Sequence, residues 1–321
     1  MFAIRTMLAA AALVACGAVL AQDYPTKPIR IVVPYPPGGA SDVTARLLGQ
    51  KFGEAWNQQV VVDNRPGANG IVALEHFVKQ PPDGHVLLMA NLGPNAINAA
   101  VYPKLPYDSI RDFSPVTLTT LVPQVLVVAG GSGYKSLKDF LDQARAQPGK
   151  LNYGTGGNGS ANHLGVELMA SIAGVKLVAV PYKGDAQAMT DVIGGQLSAT
   201  LPTVLAAIPH IKSGKMRALA VTTKTRVASL PDVPTMQEAG IAGYESFSWG
   251  GVMAPAGTPQ PVIAKVHAEL VRVLKLPDVQ ERMAGLGASV VAQGPAEFTA
   301  FLADEIRKWE GVAKRANIRL E

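Results

Sequence analysis

A strand, a glycine pair and a helix in immediate succession constrain this chain more than any other stretch. Ile29-Arg30-Ile31-Val32-Val33 is β-branched and bounded by Pro28 and Pro34, the pattern of a buried strand. Val43, Leu47, Leu48 and Phe52 fall on one face of a helix, and Asp42 and Arg46 pair four residues apart on another. Between strand and helix, residues 34–42 read Pro-Tyr-Pro-Pro-Gly-Gly-Ala-Ser-Asp. Gly38 and Gly39 let bare backbone approach a ligand, and the helix start turns unpaired N–H groups and its positive dipole end toward the loop. That is an anion site in outline, although any α/β unit turns a corner this way. The case for a ligand comes from a second copy. Residues 151–160 read Leu-Asn-Tyr-Gly-Thr-Gly-Gly-Asn-Gly-Ser and again run from a short strand into a helical pattern, Leu164, Leu168 and Ile172. Two such corners can face each other across a cleft and hold one anionic ligand from both sides.

A length of 321 residues suits about two domains, and 48% hydrophobic residues are ample for two packed cores. The first 21 residues stand apart from the fold. Arg5 gives a positive start, residues 7–14 an apolar run, and Val19-Leu20-Ala21 a small-residue cleavage signal ahead of Gln22, so the chain reads as exported from the cytoplasm. The apolar run is shorter than the ~20 residues of a membrane span. The only cysteine, Cys16, lies inside this leader. Cleavage after Ala21 leaves no thiol, hence no disulfide and no thiolate chemistry. Leu13-Val14-Ala15-Cys16 also fits a lipoprotein cleavage box, the alternative outcome. Net charge is +5, or +4 (28 basic against 24 acidic residues) once Arg5 is removed. The basic residues are scattered, which gives nucleic-acid binding little support and suits small anions.

Along the chain, short strands alternate with helices, as in parallel sheets covered on both faces. Residues 59–62 read as a strand running into a turn-rich segment, residues 63–70, that reverses the chain. Residues 85–90 form a third strand leading into Asn91. Residues 101–123 are proline-punctuated and irregular, and a first domain crossing is expected near their end. Ser136 and Asp139 make a capping box that starts a helix. Residues 247–253 read as a return into the first domain, and the last helix buries Phe298, Leu302, Ile306 and Trp309 at helical spacing. The expected division is a signal peptide at 1–21, a discontinuous first lobe at 22–123 and 245–321, and a second lobe at 124–244.

With these segments in hand, the chain resembles the Bug-type periplasmic solute-binding receptors of tripartite tricarboxylate transport systems. The residues that carry the resemblance include Tyr24-Pro25-Thr26-Lys27-Pro28-Ile29, the loop from Pro34 to Asp42, Asn64-Arg65-Pro66-Gly67 and Pro82-Asp83-Gly84. Leu105-Pro106-Tyr107-Asp108, Tyr153-Gly154-Thr155-Gly156 through Ser160 with His163-Leu164, and Pro181-Tyr182-Lys183-Gly184 continue it. Leu230 through Thr235 and Ala254 through Pro259 complete an ordered series over the whole mature chain. The resemblance implies a type II periplasmic-binding-protein fold: two α/β lobes, each a mainly parallel sheet with helices on both faces, joined by two crossings. It also implies a small carboxylate (a di- or tricarboxylate, an aromatic acid or an amino acid), a two-subunit membrane permease or a sensor protein as partner, a monomer, and no cofactor. The chain departs from the family at Tyr35-Pro36-Pro37, where Phe and small residues are usual, at His85, commonly Tyr, and at Ser198, often Asp.

The expected ligand contacts are Tyr35, Pro36, Pro37, Gly38, Gly39 and Ser41 in the first corner, with Asn91 closing the third strand. Thr155, Gly156, Asn158, Ser160 and His163 supply the second corner, and Tyr182, Lys183 and Gly184 the next loop. Trp249 either covers the ligand or fills the hinge. Asp42 is expected to brace its helix and Arg65 its turn. Two other classes were weighed. Gly154-Thr155-Gly156-Gly157-Asn158-Gly159 is a literal G-x-G-x-x-G, but a dinucleotide site needs an acid closing the next strand, and no acid stands before Asp185. A secreted α/β hydrolase has Ser160 and His163 close in sequence but no G-x-S-x-G elbow. His76, His85, His210 and His267 are isolated and form no metal motif. No catalytic residue and no metal ligand are expected.

Overall fold

The computed structural model describes residues 24–182 and 184–320. The signal-peptide and Cys16 expectations, and the Lys183 contact, lie outside the described residues.

Strand β1 (Ile29–Val33) is buried at four of five positions, as a β-branched run between prolines should be, and leads through the first glycine corner into helix α1 (Ala40–Trp56). Strand β2 (Val60–Asn64), helix α2 (Ile71–Phe77), strand β3 (Val86–Asn91) and the short helix α3 (Asn98–Val101) follow. Strand β4 (Phe113–Val122) then leads directly into β5 (Val125–Ala129), which opens a second sheet. That sheet is built with helix α4 (Leu137–Ala146), strand β6 (Asn152–Thr155), helix α5 (Ala161–Ala173), strand β7 (Val178–Pro181) and helix α6 (Asp185–Ile193). Strand β8 (Ala199–Thr200), helix α7 (Val204–Lys212) and strand β9 (Met216–Val221) complete it. Strand β10 (Ser248–Pro255) returns to the first sheet, followed by helices α8 (Gln260–Leu274) and α9 (Pro277–Gly285), strand β11 (Ser289–Gln293) and helix α10 (Pro295–Ala316).

The first sheet has the order β11-β4-β10-β3-β1-β2 and the second β7-β6-β8-β5-β9. Both are mixed, which corrects the expectation of mainly parallel sheets. The parallel pairs are β1 with β2 and β3, and β6 with β7 and β8. The strands beside the crossings, β4, β5, β9 and β10, pair antiparallel because each leaves or enters its sheet next to the other one. The glycine corners both sit at carboxyl ends of the parallel strands, which is where open α/β sheets gather ligands.

The longest strand, β4, falls inside the stretch read as irregular. Pro115 faces Met253 across a register shift, so the missing N–H sits at an irregularity of the ladder. One apolar core runs through both sheets, from Val32, Leu88 and Trp249 to Leu126, Tyr153 and Leu164. Helix α10 joins them: its Phe298, Leu302 and Trp309 are fully buried, and Arg315 Nε donates to Ser171 Oγ of α5 at 2.9 Å.

Candidate functional site

In the first corner, Asn64 Nδ2 donates to the Tyr35 carbonyl at 3.1 Å and Arg65 N to the Val33 carbonyl at 2.8 Å, which fixes the chain as it leaves β1. Tyr35 is half-buried, and its hydroxyl donates to Asn91 Oδ1 at the end of β3, 3.1 Å away. Burial pushes the phenol well above its ordinary pKa, so the ring acts as a neutral donor. Asp42 turns inward as expected. It accepts from Gly38 N at 2.9 Å and Arg46 Nε at 3.0 Å, and the Arg46 hydrogen bond, helped by the Gly38 amide, lowers its carboxyl to about 2. Helix α1 therefore starts at Gly39 with no side-chain cap. Pro36, Pro37, Gly38 and Gly39 are exposed and Ser41 is half-exposed. The Ala40 and Ser41 amides have no acceptor among the described residues, which is the donor state an anion site requires.

The second corner is organised differently. Gly156 N donates to Asn162 Oδ1 at 3.1 Å, Gly157 N to Thr155 Oγ1 at 3.2 Å, Gly159 N to His163 Nδ1 at 3.1 Å and Ser160 N to the Gly157 carbonyl at 3.2 Å. The Ser160 hydroxyl lies 2.6 Å from the Gly157 carbonyl and 2.5 Å from Asn162 Oδ1. Thr155 is fully buried. The amides and hydroxyls expected to reach a ligand are thus engaged within the loop, and Asn158, which is exposed, stands at its tip. His163 is a buried acceptor beneath the loop, and desolvation lowers its pKa to about 4, so it is neutral at pH 7.

The loop after β7 packs on this corner. Tyr182 N donates to the Thr155 carbonyl at 3.0 Å, and its hydroxyl donates to Asp191 Oδ2 of α6 at 2.5 Å. Gly184 precedes α6 at a φ of +116°.

Trp249 requires correction. It is fully buried, lies edge-on to Phe298 and Phe301, and donates from Nε1 to Glu305 Oε2 at 3.2 Å. Trp309 donates to the same oxygen at 3.1 Å, and Lys308 pairs with the other. Trp249 therefore fills the core behind β10 and does not reach the rim of the corners.

The residue missed by sequence reasoning is Asn69. The segment read as a simple reversal carries four successive positive φ angles, at Gly67, Ala68, Asn69 and Gly70. Asn69 Nδ2 donates to Asn98 Oδ1 at 2.7 Å, and Asn98 Nδ2 returns to the Asn69 carbonyl at 3.1 Å. This places Asn69 Oδ1 beside Gly93 and Tyr35, and Nδ2 on the side of Gly159 where a Cβ would project. A Cβ on Gly159 would lie 2.9 Å from Leu320, 3.6 Å from Val101 and 3.8 Å from Asn69 Nδ2. The rims of the two sheets meet there. Asn and Gly at 67–70 are the usual carriers of positive φ, and that was the available signal.

Among the described residues, no group of three or more His, Cys, Asp or Glu could hold a metal ion, and no helix is long and apolar enough to cross a membrane. A surface cavity of about 720 Å³ opens at the other end of the second sheet, by Lys150, Asn152, Gln196 and Lys215. It lies at the amino ends of β6 and β8, away from both corners.

Two mixed α/β sheets, with the second glycine corner set against the 67–70 turn of the first, have the architecture of a two-lobed solute receptor. Residues 44–318 match the tripartite tricarboxylate transporter family receptor, and the chain belongs to that family. It is 39% identical over 288 residues to the "UPF0065 protein in tcbD-tcbE intergenic region" of a Pseudomonas species, covering 89% of this chain and 85% of the relative. It is 36% identical over 304 residues to protein BugT of Bordetella pertussis, covering 94% and 93%. Among solved structures, an R. palustris protein with adipate superposes with a TM-score of 0.81 at 36% identity, covering 92% of this chain and 99% of the other. MatC from Rhodopseudomonas palustris with bound malate superposes at 0.78 and 32%, covering 90% and 99%.

Proposed function

We propose that this chain is a periplasmic receptor that closes over a small carboxylate and delivers it to a membrane permease. The lobes in this reading are 22–123 with 245–321, and 124–244. The observation that carries it is the first corner: uncapped amides at the start of α1, which follow Tyr35, whose neutral hydroxyl bonds Asn91 and can turn to a ligand, on the lobe whose Asn69 meets the second. Backbone donors at a helix start hold an anion without a cationic side chain. Family membership and relatives solved with adipate and malate support the ligand class. The contacts proposed in the first lobe are Tyr35 through Gly39, Ser41 and Asn91, to which Asn69 is added. In the second they are Thr155, Gly156, Asn158, Ser160, His163, Tyr182, Lys183 and Gly184, with Thr155, Ser160 and His163 acting through the shape of the loop. No covalent step is required, so the chain acts as a receptor and not as an enzyme.

Titration calorimetry of the mature protein against aliphatic and aromatic carboxylates, amines and neutral sugars tests this reading. A carboxylate is expected to bind, and Tyr35→Phe is expected to weaken it by about 0.5–1.5 kcal/mol, the net value of one hydrogen bond. Binding of amines or sugars with no carboxylate bound would overturn the ligand class.

A further inference from the structure

The two corners differ in what they offer. In the first, the α1 amides have no acceptor among the described residues. In the second, four loop amides are already engaged, and an acid, Asp185, is the charged group in their midst among the described residues, which leave out Lys183. Asp185, the first residue of α6, is half-buried, and its Oδ1 accepts from Asn162 Nδ2 at 2.6 Å. The same Asn162 holds Gly156 N through its Oδ1, so the carboxylate is locked to the loop by one amide side chain. Its fit is tight: a Cβ on Gly156 would lie 2.7 Å from Asp185 Oδ1, closer than real Cβ atoms come. A side chain at 156 would push the carboxylate aside. Burial raises the Asp185 carboxyl above its ordinary range, partly offset by the Asn162 hydrogen bond.

A second ligand carboxylate brought to this corner meets like charge and amides that are already bonded. A ligand N–H or O–H meets an acceptor. Discrimination of this kind is large, because a buried polar group left unpaired costs more than a paired one gains.

We propose that Asp185 is the specificity-determining residue of the second lobe: its carboxylate receives an ammonium or hydroxyl donor of the bound acid and disfavours dicarboxylates of the same length. The proposal rests on the carboxylate-receptor reading above and narrows it to acids with one anionic end and one donor.

The test is calorimetry of wild type, Asp185→Asn and Asp185→Ser against α,ω-dicarboxylates of four to eight carbons, the ω-amino and ω-hydroxy acids of matched length, and neutral α-amino acids. Wild type is expected to bind at least one donor-bearing monocarboxylate tenfold or more tighter than the matched dicarboxylate, and both variants to reduce that ratio at least tenfold. A wild-type preference for dicarboxylates, or a ratio unchanged in the variants, overturns the proposal. Should the Asn variant fail to fold, the Ser variant decides together with the wild-type ratio. If no carboxylate binds wild type, the receptor reading falls as well. If carboxylates bind with a selectivity indifferent to Asp185, only this inference falls.

Discussion

His163 is a buried ring that accepts the Gly159 amide through Nδ1, and desolvation holds its pKa at about 4 against 6.5 for a free side chain. A group depressed on folding stabilises the native state fully above its unfolded pKa, and that contribution is lost as pH falls toward the folded value. The window is therefore pH 6.5 down to about 4, and the loss is on the order of 3 kcal/mol. His163→Gln retains an acceptor without a proton to gain, so its stability should fall less across that window. Urea unfolding of both proteins at pH 7 and pH 4.5 measures the difference; parallel losses would show that another group carries the pH response. Sequence spacing identified His163 as a helix-face residue near Ser160, but not the amide it accepts, because an i−4 contact into a loop depends on the loop's path. Trp249 failed as a ligand contact for a similar reason. Its partner, Glu305, is 56 residues away, and nothing local announces the pairing.

Among the elements, β1 was legible because β-branched residues and flanking prolines mark it locally, and β6 because a glycine-rich loop and a helical pattern follow it. Strand β4 was not, since Pro115 interrupts the run and Pro123 closes it, while its pairing with β10 is entirely nonlocal. Helices α7 and α9 also passed unread, each short and interrupted or opened by proline. The 67–70 turn was seen as a turn but not as part of the rim, since its place depends on Asn98. Its packing yields a graded expectation. Gly38 has φ +86° and open space where a Cβ would go, so Gly38→Ala should cost only the backbone term, about 1–2 kcal/mol. Gly70 has φ +85° and would place a Cβ 2.9 Å from Pro94 Cβ and 3.2 Å from Pro34 Cβ, rigid ring atoms that give little. Gly70→Ala should therefore lose more stability than Gly38→Ala, by about 1–3 kcal/mol of overpacking. Urea midpoints of the two variants rank them; an equal loss would place the cost in φ alone.

At the scale of the molecule, the two sheets and their helices share one apolar core through α5 and α10. The two-lobe plan was readable from the family-like order of motifs, but this continuity was not, because it depends on where the last helix lands. Beyond α10, Leu320 N donates to the Val101 carbonyl at 2.8 Å, and its side chain reaches Gly159 of the opposite lobe. Leu320→Ala should loosen that contact, and small-angle scattering without ligand should report a larger radius of gyration than wild type. An unchanged radius would mean that the strand crossings alone set the resting angle.

This tail has a practical bearing on how such a receptor can be instrumented. A dye or affinity handle fused after residue 320 hangs from the seam between the lobes, so it would perturb the resting angle it was meant to report. Labels on the outer face of α4 or α8, remote from that seam, would leave the opening motion undisturbed.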